Sequence, residues 1–264
     1  MGANSPFFCV PAAQSSKSTL FANGSIYAKL ARRLGPNQPF YTFCMDYPID
    51  RHASPLTIER IAEGFLRELR TLQPSGPYFL GGWSFGGLVA YEMARELEAQ
   101  GEAVELLALI DVAGPGYPRR RPWLQQARLH CERMRGLGMT RRAAYLLNTL
   151  RELTQSNWLS FRKALGRWRG RINPIQIEDA YLARLGSYGG PLVLLVADET
   201  LSQTADKVEV VRDPQLGWSA VVKGEVTIHR LPGDHFSLLE EPGVAAIADR
   251  LATHLCKPLN PQRH

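Results

Sequence analysis

Three kinds of side chain stand where a nucleophile, a base and an orienting acid would have to stand. Ser84 lies in Gly81-Gly82-Trp83-Ser84-Phe85-Gly86-Gly87, and His235 lies in Pro232-Gly233-Asp234-His235-Phe236. A serine hydroxyl is a poor nucleophile near neutral pH and gains reactivity from an adjacent base that a carboxylate orients. The G-x-S-x-G pattern marks a sharp strand-to-helix turn, a nucleophile elbow, which strains the serine backbone and lifts its hydroxyl clear of the sheet. Gly82 and Gly86 leave room for that turn, and Phe85 would offer an early helix N–H to developing negative charge.

Of six histidines, only His235 falls on a turn leaving a strand candidate. His52 lies in a polar loop, His130 in a helical segment, His229 within a strand, His254 on the last helix and His264 at the terminus. The acid has two candidates, Asp111 and Asp198, each ending an apolar strand candidate, and spacing does not separate them. The plainer role for either is to cap the turn after its strand. The order Ser, Asp, His matches hydrolases built on a parallel sheet rather than the two unrelated protease orders.

The elements needed to position these groups are legible in the hydrophobic pattern. Apolar runs at Phe7–Val10, Pro77–Leu80, Val104–Ile110 and Leu192–Ala197 read as strands, and Pro39–Cys44 and Val226–Leu231 are two further strand candidates. Between them, Ser25 is placed to cap a helix carrying Ile26, Tyr27, Leu30, Ala31 and Leu34 and stopping at Gly35. Ile58, Ile61, Phe65, Leu69 and Leu72 trace an amphipathic helix after the polar loop Asp46–Pro55. A third helix runs from about Leu88 to a stop at Gly101, and a last one starts at Pro242 with Val244, Ile247, Leu251 and Leu255 on one face. Alternation of strand and helix predicts an α/β fold with a mostly parallel sheet, helices on both faces, and catalytic groups beyond the strands' carboxyl ends. From about 115 to 185 no strand candidate occurs, and helical segments there predict a lid inserted over that edge. The whole chain, 1–264, reads as one domain, with a frayed tail after Lys257.

Composition narrows the classes. Cys9, Cys44, Cys131 and Cys256 have no C-x-x-C spacing, which favours reduced, buried thiols over a disulfide framework or zinc site. The amino terminus lacks a basic and apolar leader, Pro6 stands where a myristoylation signal needs Ser or Thr, and no run is long enough to span a membrane. A soluble cytoplasmic protein without a membrane partner is expected. The net charge of +6 is uneven: Pro115 to Leu185 holds fourteen arginines and one lysine against four acids, or +11, leaving −5 elsewhere. That basic segment contains no nucleic-acid motif, so no nucleic-acid partner is expected.

The sequence resembles the thioesterase domains that release products from nonribosomal peptide synthetases and polyketide synthases, a family of the α/β-hydrolase fold with a helical lid. The resemblance rests on Phe7–Ala13, Gly81–Glu98, Leu107–Asp111, Asp213–Trp218 and Pro232–Leu239, and spans nearly the whole chain. It implies Ser84 as nucleophile, His235 as base and Asp111 as acid, with Asp198 in reserve. It also implies an oxyanion hole from the backbone N–H groups of Phe85 and Ala13. Relatives often carry a glycine pair after the first-strand proline, whereas this loop reads Pro11-Ala12-Ala13-Gln14 and is longer.

By the same resemblance, the protein needs no cofactor of its own. Its substrate is an acyl, peptidyl or polyketide chain on the phosphopantetheine arm of a carrier protein, released by hydrolysis or macrocyclisation. Trp83, where stand-alone proofreading relatives more often have His, favours a product-releasing domain. The arginine-rich insertion suits an acidic, phosphate-bearing partner. The rivals are a stand-alone proofreading thioesterase, a soluble carboxylesterase, and a noncatalytic binding module.

Overall fold

The computed structural model describes residues 5–11, 27–43, 57–118, 122–135, 138, 141, 174–199 and 213–255. Among these residues six strands, β1 (Phe7–Val10), β2 (Phe40–Thr42), β3 (Tyr78–Trp83), β4 (Val104–Ile110), β5 (Leu192–Ala197) and β6 (Val226–Leu231), form one sheet. Their order is β2-β1-β3-β4-β5-β6, and every pairing is parallel. The carboxyl ends of β3, β4 and β6 therefore emerge on one edge, and Ser84, Asp111 and His235 follow them.

Side-chain alternation along the strands divides the interior into two layers. Phe8, Val10, Leu80, Leu107, Leu109 and Leu194 face a cluster shared with α2 (Ile58–Leu72) and α3 (Phe85–Ala99). Phe7, Cys9, Phe79, Ala108, Ile110 and Leu195 face the other, filled by α1 (Ala28–Leu34) and the carboxyl-terminal helix. Thr57 starts α2 by accepting a hydrogen bond from the Arg60 N–H at 3.3 Å, and the Ile58, Ile61, Phe65 and Leu69 stripe is buried below it. Truncating a buried Phe65 or Leu69 to Ala would cost about 2–5 kcal/mol.

Several expected boundaries shift for local reasons. Strand β3 extends beyond Leu80 through Gly81, Gly82 and Trp83, because pairing with β4 continues to Trp83↔Ile110. Helix α3 begins at Phe85, directly after the serine, rather than near Leu88. Tyr27 precedes α1 instead of lying inside it; Ser25 and Ile26 lie outside the described residues. Cys9 is buried as expected, but Cys131 is exposed, and Cys44 and Cys256 lie outside the described residues.

Within the expected lid, α4 (Trp123–Arg135) and α5 (Pro174–Leu182) are helical, and residues 142–173 are outside the described set. Helix α5 is anchored to the α3 layer. Its buried Tyr181 hydroxyl donates to Glu92 at 2.6 Å, and the same carboxylate oxygen receives Arg95 Nη1 at 2.6 Å. The last helix, α6 (Gly243–Leu255), buries Val244, Ile247 and Leu251 against the opposite face.

Candidate active site

The turn at Ser84 is enforced by close backbone packing. Ser84 adopts φ 53°, ψ −126°, a conformation that L-residues rarely hold. A Cβ on Gly82 would run into the backbone of Gly86 and Gly87, and one on Gly86 would strike the carbonyls of Val10 and Pro11. Strand β3, the start of α3 and the exit of β1 thus meet with no side chain between them. The Ser84 N–H donates to Ile110 at 3.2 Å, fastening the elbow to β4.

Asp111 leaves β4 with φ 50°, and its side chain is buried. One carboxylate oxygen accepts the Ala197 N–H at 3.1 Å; the other lies 2.7 Å from His235 Nδ1. The carboxylate accepts from both sides, which leaves Nε2 as the ring nitrogen available to take a proton. Asp198, the other candidate, pairs instead with Arg230 Nε at 3.0 Å, with its side chain half exposed. The structure brings Asp111, not Asp198, to His235.

The Asp213–Trp218 stretch braces the β4 exit from behind. Asp213 accepts the N–H groups of Gln215 and Gly217, both at 2.9 Å, and shapes a turn in which Leu216 and Gly217 have positive φ. The Trp218 indole, entirely buried, donates to the Val112 carbonyl at 2.8 Å, and the Leu216 carbonyl receives the Gly114 N–H at 2.7 Å. Ser84, Asp111 and Leu216 are the non-glycine residues with positive φ among the described residues. Strain is concentrated at Ser84, at Asp111 and at the turn that braces the β4 exit.

His235 is held by contacts absent from the motif pattern. Its ring stacks on Trp83, with centroids 4.8 Å apart and planes at 30°, and Trp83 Nε1 donates to the His235 carbonyl at 3.0 Å. Phe236 meets both rings edge-on and is largely exposed. One Asp234 oxygen accepts the N–H groups of Phe236 at 2.7 Å and Ser237 at 3.0 Å, closing the turn around the histidine. Those N–H groups of Ser237 and Phe236 hold the Asp234 carboxyl below its ordinary 3.8, with His235 adding to the effect.

The other described histidines lie elsewhere. His229 Nε2 is 3.4 Å from His254 Nε2, between β6 and α6, and partial burial with nearby Arg250 lowers the His229 proton affinity. Phe85 is the first residue of α3, where N–H groups have no acceptor within the helix. Ala13, His52 and His264 fall outside the described residues. In the sequence, Trp83 marks only the family resemblance and Tyr27 only a helix position. Neither motif spacing nor periodicity signals contacts to a loop 152 residues away or between two strand ends.

The sequence profile for the Thioesterase domain matches residues 6–255. Among curated proteins, a non-reducing polyketide synthase of Pseudevernia furfuracea is 29% identical over 242 residues, 84% of this chain and 11% of that protein. A probable non-canonical nonribosomal peptide synthetase of Salinispora arenicola is 28% identical over 243 residues, 87% of this chain and 3% of that protein. The chain therefore spans a small part of these relatives' length. Among solved structures, the NocB thioesterase domain in covalent complex with a fluorophosphonate nocardicin G analogue has a TM-score of 0.59 at 21% identity, covering 97% of this chain and 96% of that one.

Proposed function

The chain belongs to the thioesterase domain family, and from that premise we propose that Ser84, His235 and Asp111 form a triad releasing an acyl chain from a carrier-protein thioester. The observation that carries the reading is the 2.7 Å contact from the buried Asp111 carboxylate to His235 Nδ1, on the same sheet edge as the strained elbow serine. His235 Nε2 takes the Ser84 proton as Oγ adds to the thioester carbonyl. The resulting oxyanion faces the Phe85 N–H and, in our assignment, that of Ala13. Collapse breaks the C–S bond, and the histidine returns its proton to the departing pantetheine thiol. Water or an internal amine or hydroxyl, activated by the same histidine, then attacks the acyl-serine and frees Ser84.

The proposed partner is an acyl or peptidyl carrier protein, presented in the same polypeptide or by another chain. The similar synthases, in which the matched region is a small part, support that reading. The residue 115–185 insertion, as a lid, would shape the acyl pocket and present its +11 charge to an acidic carrier. Catalysis requires no cofactor beyond the pantetheine arm that delivers the substrate.

Incubation with acyl-pantetheine and acyl-carrier thioesters, followed by intact-mass spectrometry, tests the whole reading. An acyl adduct on Ser84 that turns over, lost in Ser84→Ala, is expected. Efficient hydrolysis of aryl esters with no response to carrier-bound thioesters would instead make the protein a carboxylesterase.

A further inference from the structure

Strands β1 and β3 run in register from Phe7↔Phe79 to Val10↔Gly82, and β1 ends there. Pro11, next in the chain, has no N–H with which to continue a ladder. Offset by one across this register stand the Val10 carbonyl and the Trp83 N–H, and the Tyr27 side chain joins them. Its hydroxyl donates to Val10 O at 2.7 Å and accepts from Trp83 N at 3.0 Å. Tyr27 is 1% exposed, so no water competes freely for either bond. Burial drives its titration far above the ordinary 10.0, which keeps the phenol protonated and able to do both.

The two joined ends have different duties. Trp83 immediately precedes the strained Ser84, and Val10 leads through Pro11 into the first-strand loop. The Val10 and Pro11 carbonyls already lie against Gly86 in the first turn of α3, where even a Cβ has no room. Lateral spacing between the β1 exit and the elbow is therefore set by this backbone packing together with the Tyr27 hydroxyl bridge, and a strained turn keeps its geometry only when its surroundings over-determine it.

We propose that Tyr27 is a positioning residue for oxyanion stabilisation. Its hydroxyl ties the β1 exit to the backbone just before the elbow, so that the Phe85 N–H keeps its direction toward the oxyanion. The proposal rests on Ser84 being the nucleophile, as proposed above. Tyr27 touches neither substrate nor Ser84 Oγ in this role; it acts through the backbone of Trp83 and Val10.

The test is Tyr27→Phe, with Tyr91→Phe as a control that removes another hydroxyl bond to a backbone carbonyl, from Tyr91 on α3 to Gly186 O at 3.0 Å, one that involves neither β1 nor the elbow. Active sites are counted by fluorophosphonate labelling, so that kcat refers to folded protein alone. For Tyr27→Phe, kcat on an acyl-pantetheine falls roughly 10- to 100-fold, as for a misaligned oxyanion donor, while KM stays within about twofold. Affinity for an alkylboronic acid, which forms a tetrahedral adduct on serine, falls in parallel. Tyr91→Phe leaves both quantities unchanged.

Equal losses in the two variants, or a Tyr27→Phe protein with wild-type kcat and boronate affinity, would overturn the proposal. Wild-type protein that neither labels at Ser84 nor turns over would instead refute the reading of Ser84 itself. Should Tyr27→Phe not fold, 3,5-difluorotyrosine placed at position 27 preserves shape while weakening the hydroxyl as an acceptor. Faster Trp83 amide exchange with a several-fold lower kcat then supports the role, and no change in either refutes it.

Discussion

The elbow with the β4 exit and the loop carrying His235 solve the same positioning problem differently. Ser84 and Asp111 are anchored from inside the sheet: adjacent strands, the Gly82–Gly86 contact, the Ala197 N–H and the Trp218 brace all restrain them. His235 stands on a partly exposed turn beyond β6, held by an aspartate cap, one carboxylate and one indole. The buried half tolerates no added atoms, whereas the loop half depends on a few separable contacts. Rigidity at Ser84 and Asp111 is therefore a property of packing, and placement of His235 is a property of individual contacts.

The largest test of this contrast is the acid. Asp111→Asn should lower kcat by about 10⁴-fold, as the wrong imidazole tautomer would be held, with little change in KM. Asp198→Asn should stay within about twofold. The reverse ranking in steady-state assays would break the contrast by moving the acid out of the buried half. Next in size, Gly86→Ala should destabilise the fold by about 1–3 kcal/mol in urea unfolding, because its Cβ meets rigid backbone. A neutral result would show that the buried half can yield.

On the loop side, Trp83→Phe keeps a ring against His235 but removes the Nε1 bond to its carbonyl. A loss of about 1 kcal/mol in stability and a roughly threefold to tenfold drop in kcat are expected. Asp234→Ala should lower kcat by a few-fold, and its stability effect carries a pH signature. A carboxyl held below 3.8 stabilises the fold above that value and loses the contribution as pH falls through its lowered value. The difference between wild type and Asp234→Ala should be constant above about pH 4 and shrink in stronger acid. Smallest of all, breaking the exposed Asp198–Arg230 pair should change stability by less than about 1 kcal/mol.

The same division explains what could be read from the chain. Strands β1 and β5 are continuous apolar runs because both faces are covered, β4 is one but for Glu105, and β6 mixes Thr227, His229 and Arg230 with its apolar residues and is only half-buried; the ends of all four matched the expected positions almost to the residue. Ser84 and His235 were legible because an elbow needs glycines and a post-strand turn has its own chemistry. Asp111 and Asp198 were indistinguishable by spacing, since both end buried strands; a cross-sheet distance separates them. Gly81, Gly82 and Trp83 read as turn because glycine suppresses the strand signal, although β4 pairs them. Tyr27 and Trp83 escaped for a further reason: their bonds join segments far apart in sequence, and local periodicity holds no record of such contacts.

The Asp111–His235 contact joins residues 124 positions apart, while Ser84 and its fastening are assembled from β1, β3 and β4, all of which precede Asp111 in the chain. Closing so long a loop is a late and entropically costly event for a chain emerging in order. The elbow can form while Ser84 is still without its proposed base, and the Asp111–His235 contact closes only after β5, β6 and the His235 turn have joined the sheet. A nascent or partly folded chain then holds a shaped but unactivated serine. Recovery of Ser84 labelling during refolding should consequently lag behind recovery of secondary structure.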